Sequence, residues 1–232
     1  MKQKRFLCML VLPWMVLCAV GCNDDDNEVL NVPVDQQVQT GLNSALTTTV
    51  VPLVTFMGAM GDFLSSPGAV AGLACPDTSG WCSSGTVSCT PTLNGLAFDF
   101  DQCQVVGGDQ PFTMDGNVTA VLGSTIALTL TNLVISGQPA ISGTGTINVA
   151  NCNYVVNMHS SDASVAGTVT QCDADPYPTG QTLAITFGDF VATVTFDGTS
   201  VAHATAAASG APVAACTINL ASSPLTSSCS GI

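Results

Sequence analysis

Gly95-Leu96-Ala97-Phe98-Asp99-Phe100-Asp101 sets Leu96, Phe98 and Phe100 against Ala97, Asp99 and Asp101. A period of two puts one set in a core and the other in water, which is the reading of a half-buried strand. The alternation continues downstream. Phe112, Met114, Val118, Ala120 and Leu122 share a face with Gly116 among them, and Ile126, Leu128 and Leu130 alternate with Thr125, Thr129 and Thr131. Further strands are read at 141–149, 154–158, 165–169, 183–187, 190–196, 201–205 and 218–220. Gly-bearing turns punctuate them, among them Gly107-Gly108-Asp109, Gly123-Ser124, Ser136-Gly137 and Gly188-Asp189. The chain is therefore expected to be mainly β, with about ten strands. One polar face per strand implies antiparallel pairing, in a sandwich or an open barrel.

Upstream of Gly95 the period is different. From 35 to 64 the apolar residues Val38, Leu42, Leu46, Val50, Leu53 and Met57 fall at helical spacing. Asp35 is placed to cap the start. Pro52 cannot donate a backbone bond, so two helical pieces are expected, with Pro52 in the first turn of the second. Met57-Gly58-Ala59-Met60-Gly61 reads as core, with an adaptable lid as the sharper alternative. Residues 65–94 are rich in Gly, Pro, Ser and Cys and read as a loop tied down by Cys75, Cys82 and Cys89.

The bases decide what chemistry is absent. The only Lys and Arg are Lys2, Lys4 and Arg5, against sixteen Asp and Glu. Without Arg there is no bidentate fork for phosphate or carboxylate. Without Lys there is no Schiff base and no Ser–Lys dyad. Nucleic acid is excluded as a partner, because its affinity rests on cations that neutralise phosphates. Charged residues make up 8% of the chain and hydrophobic ones 47%, the reverse of a disordered acidic chain, so a fold is expected.

The three bases precede an apolar run over residues 6–20, which leads into Gly21-Cys22 to complete Ala19-Val20-Gly21-Cys22, and an acidic stretch follows. This order is that of a secretory signal, and its ending at Cys22 resembles the lipobox of bacterial lipoproteins. The resemblance implies removal of residues 1–21, a lipidated Cys22 and an acidic tether over 22–34. It also implies a place in the bacterial cell envelope, at the outer membrane. The membrane is then a partner through the anchor. The rest divides into a helical segment with a Cys-rich loop, 35–94, and a β domain, 95–232, expected to fold as one unit over 35–232. Eight cysteines remain outside the signal and Cys22: Cys75, Cys82, Cys89, Cys103, Cys152, Cys172, Cys216 and Cys229. An even set in an exported chain reads as four disulfides. Hairpin positions suggest Cys152–Cys172, Cys89–Cys103 and Cys216–Cys229. Phe98-Asp99-Phe100-Asp101-Gln102-Cys103, followed by a Gly-rich turn, looks like secreted bacterial lipoproteins. In outline, a helix laid on a large antiparallel sheet is similar to the open-barrel lipoprotein carriers of the periplasm.

Catalytic signals are sparse. The two histidines are His159 and His203. Gly198-Thr199-Ser200-Val201-Ala202 misses the nucleophile elbow, since no helix is expected after Ser200, and on a strand Ser200 and His203 face opposite ways. Asp99 with Asp101, and Asp173 with Asp175, are candidate calcium pairs; otherwise no cofactor is expected. The leading expectation is a non-enzymatic structural, adhesive or partner-binding role. A carrier of an apolar ligand such as a lipid, held between sheet and helix, is the alternative, and a hydrolase the least favoured. Unpaired carboxylates are expected to repel one another and to titrate above their usual range. The distribution of bases makes a simple test. Exported protein, denatured in urea and digested with trypsin, should keep its intact mass; a loss of mass confined to residues 1–5 would show that the signal had not been removed.

Overall fold

Twelve strands lie side by side in the order in which the chain makes them. They are β1 (Thr86–Pro91), β2 (Gly95–Val105), β3 (Phe112–Val121), β4 (Ile126–Ile135), β5 (Ile141–Asn148) and β6 (Asn153–His159), then β7 (Ser164–Thr170), β8 (Thr179–Phe187), β9 (Phe190–Asp197), β10 (Val201–Ala208), β11 (Ala211–Asn219) and β12 (Thr226–Gly231). All neighbours are antiparallel and all belong to one sheet. The structure, a computed structural model, describes residues 32–53, 56, 74–105, 112–148, 150–170, 177–222 and 224–232. Pro33–Ile232 forms one compact unit.

The fold is thus mainly β, with two more strands than expected. Both additions are the terminal strands. β1 falls within the stretch read as loop, and the correction has a plain cause. Thr-Val-Ser-Cys-Thr-Pro and Thr-Ser-Ser-Cys-Ser-Gly have too few apolar residues to show a period, because an edge strand is half wet. Short turns fix the meander. Ser209 and Gly210 both have positive φ (50° and 82°), which is the two-residue turn that matches strand twist.

The helix begins one residue early and is not capped as expected. α1 (Val34–Ala45) has Pro33 at its N-cap; Asp35 lies inside the first turn and accepts from Gln36 N at 3.0 Å. The expected stripe is buried at Val38, Leu42, Leu46, Val50 and Leu53, while residues 57–61 lie outside the described residues. Pro52 does not end the helix. A π-helical turn, Leu46–Val50, joins α1 to helical residues 51–53. Pro52 brings no N–H for the carbonyl four residues back, and the wider turn absorbs its ring.

The inner face is graded in size. Across the sheet, one row runs Phe98, Val118, Leu130, Gly143, Met158, Val165, Ile185, Ala192, Ala206, Ala214. Bulk therefore dominates as far as β8, and alanine takes over on β9–β11. α1 packs against β8, β11 and β12, so it crosses the shallow part. The fit at β8 is close. A Cβ on Gly41 would lie 2.5 Å from Cδ2 of Phe187, so glycine is required there despite its helix cost of about 1 kcal/mol. At the other end the π turn is tied to the β6–β7 turn by Thr49 Oγ1 and Ser160 Oγ at 3.1 Å.

Each terminal strand is covered. On β12, Ser227 N donates to Asn43 Oδ1 (2.7 Å) and Cys229 N to Gln39 Oε1 (3.4 Å). Four helical residues rise about 6 Å, and two strand residues about 6.8 Å, so acceptors at i and i+4 match alternate edge amides. On β1, Thr92 N donates to Gly95 O, which sets the ladder's phase: Thr90, Ser88 and Thr86 face β2, while Val87 and Cys89 turn their backbone outward. Thr78 Oγ1 donates to Val87 O at 3.3 Å.

Three disulfides join described residues: Cys75–Cys89, Cys82–Cys103 and Cys216–Cys229. The expected Cys89–Cys103 bond is not formed. Cys89 lies opposite Phe98, and Cys103 is five strand residues further on, about 16 Å along the sheet and beyond bridging range. Cys152 is disulfide-bonded; Cys172, its expected partner, lies outside the described residues. These bonds are compatible with an extracytoplasmic protein.

The α1–β12 seam generates a paired test. Asn43→Ala leaves the Ser227 amide without its acceptor and should cost about 1–3 kcal/mol. Ser227 Oγ is buried and has no hydrogen-bond partner, so Ser227→Ala should be neutral or stabilising. Urea unfolding of the two variants checks both; a large loss for Ser227→Ala would contradict the reading of an orphaned hydroxyl.

Candidate functional site

The polar groups singled out in the sequence are spread over the outer face and its turns. His159 is exposed on β6, between Ser142 on β5 and Ser164 on β7. His203 is exposed on β10, between Thr195 on β9 and Thr217 on β11. Ser200 immediately precedes β10. By the strand's alternation it falls on the inner side with Ala202, opposite His203, so the two do not form a nucleophile–base pair. The β6–β7 turn closes through Ser160 N to Ala163 O (2.8 Å) and Ser161 Oγ to Asp162 Oδ1 (2.6 Å), which is local turn chemistry.

Asp99 and Asp101 stand on the outer face of β2, both exposed, with Ser88 and Thr86 beside them on β1. Asn117 flanks Asp99 on the other side, and a bulge between Phe100 and Cys103 removes the corresponding neighbour of Asp101. Gln102, the bulge residue, has φ of 48° and donates Nε2 to Asp115 Oδ2 at 2.6 Å. Asp173 and Asp175 lie outside the described residues, as do Gly107, Gly108 and Asp109. Among the described residues no group of three or more His, Cys, Asp or Glu is arranged to hold a metal ion.

The outer face carries a different feature, which pattern reading missed. One row crosses all twelve strands: Thr90, Ala97, Thr119, Thr129, Thr144, Asn157, Ala166, Ala184, Thr193, Thr205, Ala215 and Ser230. Every member is exposed or half-buried, and none is charged or aromatic. Val121, Val155, Val191 and Val201 stand exposed on the same face. The row exists only once the register is known. In sequence it shows only as scattered Thr–x–Thr strings such as Thr129-Leu130-Thr131 and Thr193-Val194-Thr195.

Two carboxylates depart from the expected upward drift. Asp77 is held below its usual 3.8, first by the backbone N–H of Ser79 and then by that residue's side chain. Asp197 is likewise held below 3.8, first by the Thr199 hydroxyl, then by the Thr199 N–H, with a smaller pull from His203. Thr199 donates both Oγ1 (2.7 Å) and N (3.0 Å) to Asp197 Oδ1. Donation to the charged form outweighs any repulsion at these two sites.

Comparison with family models, curated proteins and solved structures finds no match, so the reading of function rests on the geometry. The lowered carboxylates give a pH test. A depressed folded pKa adds stability that is present above the unfolded value and lost as pH falls through the folded one. The stability that these two carboxylates contribute should therefore be lost as pH drops below about 4, and Asp197→Asn should flatten that part of the acid limb of the melting temperature. A limb unchanged by Asp197→Asn would remove this carboxylate from the account.

Proposed function

We propose that this chain is a lipid-anchored, exported envelope protein whose β domain has a non-enzymatic structural, adhesive or partner-binding role. One observation carries the reading. The apolar side chains of α1 and of the described inner face are buried, and the outer face offers a partner a row from Thr90 to Ser230 that carries no charge. Leu42, Leu96, Leu128, Ile141 and Ile185 on the inner side are all at or below 1% exposed. The two histidines stand apart on that outer face, and by strand alternation Ser200 and His203 fall on opposite sides.

The anchor belongs to the same proposal. A fold with no cationic residue cannot hold an anionic membrane by charge, so attachment must come from acyl chains, each buried CH₂ contributing about 0.8 kcal/mol. The sequence at Cys22 supplies the place. The outer membrane, reached through the resemblance at Ala19-Val20-Gly21-Cys22, is the compartment proposed. Disulfides are consistent with export and do not select among envelope compartments.

Native mass spectrometry of the exported protein, extracted from the membrane fraction, tests the reading. The polypeptide should begin at Cys22 with acyl mass attached, and should weigh about 8 Da less than its reduced form, two hydrogens for each of four disulfides. Cys22→Ala should move it to the soluble fraction. A further non-covalent mass on the order of hundreds of daltons, lost on denaturation, would instead identify a carrier of an apolar ligand between sheet and helix.

A further inference from the structure

The two terminal strands are protected by different means. β12 is closed by Gln39 and Asn43 of α1, whose apolar stripe at Val38, Leu42 and Ala45 is buried against the sheet. Lifting α1 would expose that stripe, so this cover is permanent under folding conditions. Among the described residues β1 has no such cover. Its outward backbone groups are those of Val87 and Cys89, and the strand has no charged residue to blunt it. Pro91 removes one edge amide at its end. Among the described residues its remaining protection is the segment 74–81. Cys75 bonds to Cys89 on the strand itself, Thr78 occupies the Val87 carbonyl, and Trp81 stacks on Phe98 with ring centroids 5.6 Å apart. Cys75 and Cys89 are both half-buried rather than sealed in the core. Cys82 stays fastened to Cys103 independently, so opening the first bond leaves 74–80 held to β1 by the Thr78 hydrogen bond, while Trp81 and the start of the sheet keep the second staple.

We propose that the Cys75–Cys89 disulfide is a redox latch on the β1 edge, and that opening it lets β1 pair antiparallel with β1 of a second copy of this chain. The step is a two-electron exchange. A dithiol, small or protein-borne, is oxidised to its own disulfide; the Cys75–Cys89 bond breaks; and the two sulfurs leave as thiols, taking two electrons and two protons. The second copy is the occupant that charge permits. In a chain with sixteen acids and no base after Arg5, most self-contacts oppose carboxylates, and β1 is an uncharged edge. Asp77 lies in the covering segment beside Thr78 and leaves the edge with it, while Asp99 and Asp101 lie one strand in. Across a β1–β1 junction the two β2 strands are three spacings apart, about 14 Å, beyond the screening length of about 8 Å at physiological salt. Antiparallel self-pairing is isologous and closes at the dimer, since β12 stays covered.

Sedimentation velocity of the exported protein tests this, with Cys75→Ser/Cys89→Ser as the opened form. The wild type should run as a monomer. The double variant, with unchanged circular dichroism, should double its mass as concentration rises. Val87→Pro added to it should restore the monomer, because the Val87 N–H points away from β2 and its loss leaves the β1–β2 ladder intact. A double variant that stays monomeric, or a dimer that survives Val87→Pro, overturns the proposal. If the double variant does not fold, dithiol titration of the wild type decides. Dimer must then appear at the step where Cys75 and Cys89 become alkylatable, and its absence at that step overturns the proposal equally.

Discussion

An antiparallel meander ends twice, and each end is a row of backbone donors and acceptors with no strand to meet them. In a twelve-stranded sheet with one apolar face, that constraint shapes everything outside the ladder. The helix is placed where its amides can satisfy β12, and Asn43 and Gln39 do so at the one spacing a helix and a strand share. The size gradient of the inner face follows from that placement. Alanine at 192, 206 and 214 leaves depth for α1, and Gly41 lets it approach Phe187. At the other end, among the described residues, two crossing disulfides hold a short segment over β1 instead. Unprotected, either edge would template further strands.

The second constraint is the absence of cations beyond Arg5. Carboxylates usually find Lys or Arg; here they find amides and hydroxyls. Asp77 is met by Ser79, Asp197 by Thr199, Asp115 by Gln102 and Asp162 by Ser161. Asn plays the same part where no charge is wanted, with Asn148, Asn151 and Asn219 each accepting from the backbone N–H two residues on. These local bonds fix turns between strands. They also explain why mutual repulsion does not raise Asp77 and Asp197: each is paired with a donor two residues away, whatever the net charge.

Period two made β2 to β11 legible, because each has enough apolar residues on one side for the alternation to stand out. The same criterion was blind to β1 and β12. Their composition is that of a turn, and they are strands because a neighbour presents a ladder to them. β11 shows the intermediate case: only its end, at Ile218, carries a signal, while the inward residues Ala214 and Cys216 are too small to declare a face. The stripe of the helix was readable, whereas the work of Gln39 and Asn43 was not, since an amide pair four apart on a helix is ordinary in sequence. Cysteine number was informative, but pairing was not. Cys89 and Cys103 flank one hairpin, yet the register sets them five residues apart along it.

The candidate site follows the same logic. Catalytic readings rested on near-neighbours in sequence, and strand geometry separates near-neighbours: Ser200 and His203 fall on opposite sides. The outer row from Thr90 to Ser230 rests on the reverse relation. Its members are tens of residues apart in sequence and adjacent in space, each step fixed by a register pair. A surface built in this way, of hydroxyls, methyls and amides without charge, offers a partner area and shape rather than ionic contacts. Strand twist also bounds the partner. At about 20–25° per strand, twelve strands cannot present a flat face, so a rigid planar surface would meet only a few of them. A partner that uses the whole row must bend with the sheet or be built from short segments that each span a few strands.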